Sequence, residues 1–445
     1  MNLTARFFFL LVFCLSFGTL AAQNDVDSAE EHTEEHADDH GGKYDPVETI
    51  MHHIADGNEF EVFHGFAIPL PVILFAPGHG WTVGMSSMFD HGHHAVDGYV
   101  MNHGRINRIA DESFPQGHVE IKDPHAIHTY KFKADGGPIV GEETDEISTE
   151  ELNEADFLLY DGKQYKLDRA SAADAGLFGG GITSFYDFSI TKNVFGMMLA
   201  ALLLIITFTV VARGYKDREG QAPSGFQGFM EPVFLFIRDE VAIPMIGKEH
   251  YARFLPFIMS IFFFILFCNL LGLIPIFPGS ANITGNLAVT MGLAILVFII
   301  TNINGKKDYW QHVFWMPGVP IFVKPILAVV EILGLFIKPF SLMIRLFANI
   351  TAGHIIILSL IGLVFVFGNS GESIGGATVG AIVGGAFTAF MNLIELLVAF
   401  LQAFIFAMLG ASYIGAAVEE HDHHDEDHAV EHNHGGAYAE SVAHH

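Results

Sequence analysis

The sequence predicts an all-α polytopic membrane protein of about five spans, the last two a long tilted hairpin, with a small mixed or mainly β exported domain at its N-terminus. Three observations carry this expectation. The 445 residues are 51% hydrophobic and only 16% charged, with a mean hydropathy of +0.39, which is outside the range of an ordinary soluble domain. Apolar runs of membrane-crossing length recur from Asn193 onward. The formal net charge of -28 crowds Asp25–Asp174 and the tail beyond Val418, so the apolar half is sparsely and mostly basically charged. No basic patch with interleaved aromatics exists, which excludes nucleic-acid binding.

Residues 1–22 read as a secretory signal peptide. Arg6 precedes the apolar run Phe7-Phe8-Phe9-Leu10-Leu11-Val12-Phe13, and Ala21-Ala22 suit cleavage near Gln23. Cys14 would leave with it and Cys268 sits in an apolar run, so no disulfide is available to the mature chain. Residues 23–57 are rich in His, Asp and Glu, including His32, His36, His40, His52 and His53, a composition that predicts disorder. Residues 58–180 turn globular, with short β-like runs at Val119-Glu120-Ile121-Lys122 and Thr129-Tyr130-Lys131-Phe132-Lys133. The histidines there (His91, His93, His94, His103) match no spacing of a defined metal site, and no metal or other cofactor is expected.

A membrane domain over 190–418 follows, with spans at 193–212, 254–276, 287–303, 340–367 and 377–417. The last two are long enough to cross steeply tilted or to lie partly along the membrane. Arg213, Lys216 and Arg218 follow the first span, Lys248 and Arg253 precede the second, and Lys306, Lys307 and Lys324 follow the third. The loops at 277–286 and 368–376 hold no Lys or Arg, so the positive-inside rule exports the N-terminus and leaves the C-terminus cytoplasmic. Phe226–Val241 reads as an amphipathic helix on the cytoplasmic surface, with Phe229, Val233, Phe236 and Ile237 on its apolar face. Val323–Ile337, carrying Glu331, is a second such helix. The glycines from Gly368 to Gly385 break the last two spans into a hairpin, and 419–445 is an acidic, His-rich, disordered tail.

The fourth span contains an arginine. A guanidinium cannot escape hydrocarbon by losing its charge, and its insertion costs about 2.5–3.5 kcal/mol or more. Lys338, Ser341, Arg345 and Asn349 step by three, four and four, so they line one stripe of a helix, with the small residues Ala348, Ala352 and Gly353 beside it. Two readings stand at this point: an arginine ion-paired inside a bundle, or a cationic groove facing something other than lipid. The last span adds Asn392, Glu395 and Gln402, of which Glu395 and Gln402 share a face. The hairpin would collect Arg345, Asn349, His354, Glu395 and Gln402 into one polar seam. His354 stands nine residues beyond Arg345, on the opposite side of the helix, and so serves a different neighbour. Glu and His exchange protons, whereas Arg acts as a fixed charge. No nucleophile with a base, phosphate loop or metal tetrad is present. A metal-ion transporter would need more ligands within the spans, and a haem carrier would need paired intramembrane histidines.

Ser341-Leu342-Met343-Ile344-Arg345-Leu346-Phe347-Ala348-Asn349, followed by Ala352-Gly353, resembles the central motif of subunit a of F-type ATP synthases. Leu401-Gln402-Ala403-Phe404-Ile405-Phe406 is similar to that family's second motif, and Phe236-Ile237-Arg238-Asp239-Glu240-Val241 and Asn269-Leu270-Leu271-Gly272-Leu273-Ile274-Pro275 also match. The resemblance covers roughly 190–420. It implies a non-enzymatic proton-translocating stator subunit in a bacterial inner membrane, with a c-ring, a subunit b stator stalk and lipid as partners. It implies that Arg345 meets the ring carboxylate and blocks leakage. Asn349, His354, Glu395, Gln402 and Asn392 would form an exported-side half-channel and Glu331 a cytoplasmic one, with Lys338 and Ser341 on the motif's cytoplasmic approach. Some members carry the acid beside Ala-Gly and the histidine in the last span; here His354 and Glu395 exchange those places. Asn282 stands where many relatives have aspartate and cannot carry a proton. The region from about Ala76 to Leu177 has no counterpart in the common pattern.

Overall fold

The computed structural model describes residues 55–63, 66–102, 104–109, 111–121, 127–133, 152–170, 184–274, 277, 279, 281–316, 318–367 and 374–419. The expected signal peptide, the acidic segment up to 54, the glycine-rich turn at 368–373 and the tail from 420 lie outside them.

The N-terminal part is β-structured. Its strands are β1 (Glu59–Phe63), β2 (Phe66–Pro69), β3 (Pro71–Ala76), β4 (Gly80–Met85), β5 (His94–Val96), β6 (Tyr99–Asn102), β7 (Arg105–Ile109), β8 (His118–Glu120), β9 (Ile127–Lys133), β10 (Leu152–Tyr160), β11 (Lys163–Asp168) and β12 (Tyr186–Asp187). They form a β1–β2 pair, a sheet in the order β8-β5-β6-β7-β11-β10-β9, and a sheet in the order β12-β3-β4. Two hairpins follow from Asp-Gly dipeptides. Asp97-Gly98 and Asp161-Gly162 have positive φ at both positions (51°, 77° and 49°, 75°), the two-residue turn whose twist matches paired strands. The two expected β runs fall on β8 and β9. β12 extends the domain past the expected boundary at 180, because its pairing with β3 ties the chain back just before the membrane half. Likewise residues 55–57 are structured rather than disordered: Asp56 accepts hydrogen bonds from the backbone N–H of Gly57 (3.0 Å) and Asn193 (3.1 Å).

The membrane half comprises α1 (Lys192–Asp217), α2 (Phe226–Phe236), α3 (Tyr251–Gly272), α4 (Leu287–Ile303), α5 (Lys307–Trp315), α6 (Lys324–Phe367) and α7 (Ile374–Val418). α1, α3, α6 and α7 are each long and apolar enough to span a membrane, and α4, bent 104° from α5, makes a fifth candidate. α1 is capped by the Thr191 hydroxyl, which accepts from Val194 N–H (3.4 Å), while Asp56 takes the Asn193 N–H. The Asn286 side chain caps α4 (2.9 Å to Ala288 N). Phe254, Phe257, Phe262, Phe263 and Phe264 of α3 fill the centre of the bundle, packed with Ile237, Val297, Leu346 and Phe406.

Two expectations change. The helix drawn at Val323–Ile337 and the span drawn at 340–367 are one 44-residue helix, α6, running through Pro339. Proline removes one backbone N–H and crowds the carbonyl four residues back, at Leu335, and so commonly kinks a helix. The helix continues because Leu342, Leu346 and Ile350 just beyond are buried in the core. With α7 at 45 residues, each arm is about 66 Å long, twice the hydrocarbon thickness, so both must tilt. In addition, α2 does not lie free on a surface. It continues through a π-helical turn (Ile237–Ala242) and a last turn (Ile243–Ile246), and Ile237, Val241, Ala242 and Ile246 are buried against the bundle, whereas Phe229 is exposed. α7 approaches so closely there that a Cβ at Gly415 would overlap the Met245 carbonyl.

Candidate functional site

The register of α6 decides which of its polar residues are open. Leu342, Leu346 and Ile350 turn into the core, so Ser341, Arg345, Ala348 and Asn349 are left exposed on the other side. Among the described residues Arg345 has no ion pair or hydrogen bond. The alternative of an arginine ion-paired inside the bundle therefore finds no partner there. Lys338, also exposed, stands with its Nζ 5.7 Å from the Tyr413 ring centroid.

The expected seam of five residues divides into two places. His354 and Glu395 come together, Nδ1 to Oε1 at 3.6 Å, close but just beyond hydrogen-bonding range. Gly353 permits the approach: a Cβ there would stand 2.7 Å from Glu395 Oε1. Glu395 is 4% exposed, and no group among the described residues hydrogen-bonds either oxygen. A carboxyl so placed is a poor structural anchor, since burial without partners costs free energy, and both oxygens stay available to a proton. Gln402 is buried two turns further along α7, while Asn392, three residues before Glu395, is exposed. Asn349 stays on the open side with Arg345.

The far side of the His354 ring is closed by the end of α3 and the segment that follows. A Cβ on Gly272 would lie 3.4 Å from His354 Nε2 and 3.1 Å from the Ala281 carbonyl oxygen. The buried neighbourhood is polar. Asn269 Nδ2 donates to the Ala399 carbonyl (3.0 Å), Thr284 donates to Asn269 Oδ1 (2.6 Å), and Thr351 donates to the Gly285 carbonyl (3.3 Å). Asn282 is buried nearby, its Oδ1 without a partner among the described residues. Sequence reasoning quoted Asn269 only as part of a motif and passed over Thr284 and Thr351. A polar residue inside an apolar run was the available signal.

A small, mostly apolar cleft lies toward the other end of α6, between α4, α5, α6 and α7, where Thr301, Asn302, Tyr309, Lys338 and Tyr413 stand among Val297, Phe298, Leu335, Pro339 and Leu342. Half-buried Glu331 lies within electrostatic reach of Tyr309. At 1.5 Å per residue, Arg345 is about 10 Å along the helix from Lys338 and about 13 Å from His354. Along the helix the fixed charge thus stands between the His354–Glu395 pair and the cleft beside Lys338.

Two histidines of the β domain stand beside acids. His91 Nδ1 lies 3.0 Å from Glu59 Oε1, and His94 Nδ1 lies 3.9 Å from Asp90 Oδ2.

Fold and site together define a multi-pass membrane protein with an open intramembrane cation and an enclosed His–Glu pair. The family described as ATP synthase A chain matches residues 194–415, and a family described only as a domain of unknown function matches 49–134. The chain is 44% identical over 266 residues to "ATP synthase subunit a" of Myxococcus xanthus (strain DK1622), covering 58% of this chain and 82% of that protein. It is 45% identical over 249 residues to the protein of the same name from Chloroherpeton thalassium (strain ATCC 35110 / GB-78), covering 55% and 71%. The chain belongs to the ATP synthase subunit a family. It is a non-catalytic subunit.

Proposed function

We propose that this chain is the proton-translocating stator subunit of an ATP synthase membrane sector, with Arg345 facing the carboxylates of a rotating c-ring. The observation that carries the reading is the Arg345 guanidinium on the open face of α6, without an ion pair among the described residues, between the His354–Glu395 pair and the cleft beside Lys338. A proton enters from the exported side past His354 and Glu395, with Asn349, Gln402 and Asn392 nearer the ring, and neutralises a ring carboxylate. The neutral carboxyl then turns through lipid. After nearly a full revolution it meets Arg345, ionises, and releases its proton through the cleft near Lys338, Ser341 and Glu331. The membrane potential supplies about 2.3 kcal/mol per charge per 100 mV. Arg345 cannot relay the proton, so it keeps the two paths apart.

On this reading residues 1–22 are removed on export, the β domain lies on the exported side of a bacterial inner membrane, the C-terminus is cytoplasmic, and a subunit b stalk anchors the chain. ATP-driven proton pumping by the complex in reconstituted vesicles tests it. Arg345→Ala is expected to abolish pumping, and an intact rate would overturn the assignment.

A further inference from the structure

Every strand of the sheet β12-β3-β4 carries apolar residues on its outer face. Along Tyr186-Asp187-Phe188-Ser189-Ile190-Thr191 the apolar and polar residues alternate, as in a strand with one wet face. Here, however, the polar set is buried: Asp187 accepts from Ser189 N–H (2.8 Å), Ser189 Oγ accepts from Ile73 N–H (3.0 Å), and Thr191 caps α1. The apolar set faces out, and the two neighbouring strands do the same. Val72, Leu74 and Ala76 of β3 are fully buried, leaving Pro71, Ile73 and Phe75 on the outer face. On β4 the outward residues are Trp81, Val83 and Met85, exposed by 62%, 69% and 42%.

The pairing stacks these side chains in three rungs. Ile190, Pro71 and Met85 form the first, Phe188, Ile73 and Val83 the second, and Tyr186, Phe75 and Trp81 the third. No charge stands on any rung. A one-residue slip would bring the polar set outward, so this register holds a free apolar face in place at a cost that water would not return.

The chain itself says what covers it. Ile190 is two residues and Phe188 four residues from Lys192, where α1 begins, so the second rung lies at most about 14 Å from the start of a membrane span. α1 carries an exposed apolar stripe of its own through Met198, Leu202, Ile205 and Ile206. Aliphatic side chains occupy the rung nearest the span, and Trp81 and Tyr186 occupy the outermost, the two residue types enriched at the membrane–water boundary. β4 is also the sheet edge among the described residues, and its unpaired backbone groups bar deep entry into hydrocarbon but suit the hydrated headgroup layer.

We propose that the outer face of β12-β3-β4 is a lipid-binding surface, seated at the headgroup–acyl boundary of the leaflet on its own side of the membrane. It would brace the β domain against the bilayer beside α1. The inference rests on α1 spanning the membrane and not on the proton path.

A nitroxide on Val83→Cys, in a chain also carrying Cys268→Ser, tests it in the full-length protein within its membrane sector, reconstituted in vesicles of phosphatidylethanolamine and phosphatidylglycerol with other cysteines removed. The label is expected to relax several-fold more with oxygen, which partitions into lipid, than with a water-soluble nickel chelate. A label at exposed Glu112→Cys should show the reverse. Greater access to the nickel chelate at Val83 would place the face in water, and low access to both reagents would place it under protein; either overturns the proposal. Trp81 fluorescence in a Trp310→Phe/Trp315→Phe chain gives the same decision without a label: quenching by bromine on lipid acyl chains supports it, and quenching by iodide alone, or by neither, refutes it.

Discussion

Nine residues of one helix separate two opposite treatments of a polar group. Arg345 is left open, with no ion partner among the described residues, while His354 is walled in by Gly272, Ala281 and Glu395. A charge that cannot be removed is tolerated in an apolar setting only if something offsets it. On the function proposed above, that something is a partner from outside the chain, which an exposed guanidinium can meet. The enclosed pair admits only what is small enough to reach it. On that same proposed function, burial, more than residue type, sorts these groups into a docking charge and an ion path.

The contrast can be broken at either end. The largest effect is expected from Arg345→Ala, which should leave no measurable ATP-driven pumping in reconstituted vesicles. Next comes the enclosed pair. Glu395→His alone and His354→Glu alone should each lower pumping roughly a hundredfold, the scale of a lost proton-transferring side chain. The double exchange should recover to within about tenfold of the parent, because the two side chains touch and their effects do not add. Equal loss in all three variants would deny the pairing.

A smaller effect sharpens the comparison by geometry alone. Gly353→Ala puts a methyl 2.7 Å from Glu395 Oε1 and should lower pumping several-fold while leaving assembly intact. Gly292→Ala, where a Cβ meets nothing within 4 Å, should leave pumping unchanged and stabilise the helix by up to about 1 kcal/mol. The smallest effect belongs to the β domain, far from either group. The Lys163 ammonium, 2.9 Å from Asp111, holds that carboxyl down at about 2. A carboxyl with a depressed folded value stabilises above its ordinary range and loses that contribution as pH falls through the folded value. Asp111→Asn should therefore lower the thermal midpoint barely detectably at pH 7, with the effect shrinking as pH falls toward 2 and gone below it. Both groups are exposed, where such pairs contribute little.

The membrane half was legible because hydrocarbon demands long unbroken apolar runs, and α1, α4 and α7 fall close to where those runs lie. The spacing of Ser341, Arg345 and Asn349 also gave their shared open face, since helical periodicity fixes faces without knowledge of neighbours. What periodicity could not give was whether Pro339 ends a helix, because packing on both sides decides it. Nor could it give that Asn392 is exposed while Glu395, three residues on, is buried. The polar shell of Asn269, Thr284 and Thr351 is assembled from α3, α6 and the segment between α3 and α4, a long-range arrangement invisible to local pattern. In the β domain the Asp-Gly turns were local and readable, whereas the inverted face of β12 depends on which side the core lies.

The most direct measurement is a cysteine scan of α6 cross-linked to a cysteine beside the carboxylate of the ring helix, in the assembled membrane sector. Cysteines at Ser341, Ala348 and Asn349 should form disulfides with the ring, and those at the core positions Leu342, Leu346 and Ile350 should not. Cross-links confined to the core positions, or absent from the open face, would contradict the account.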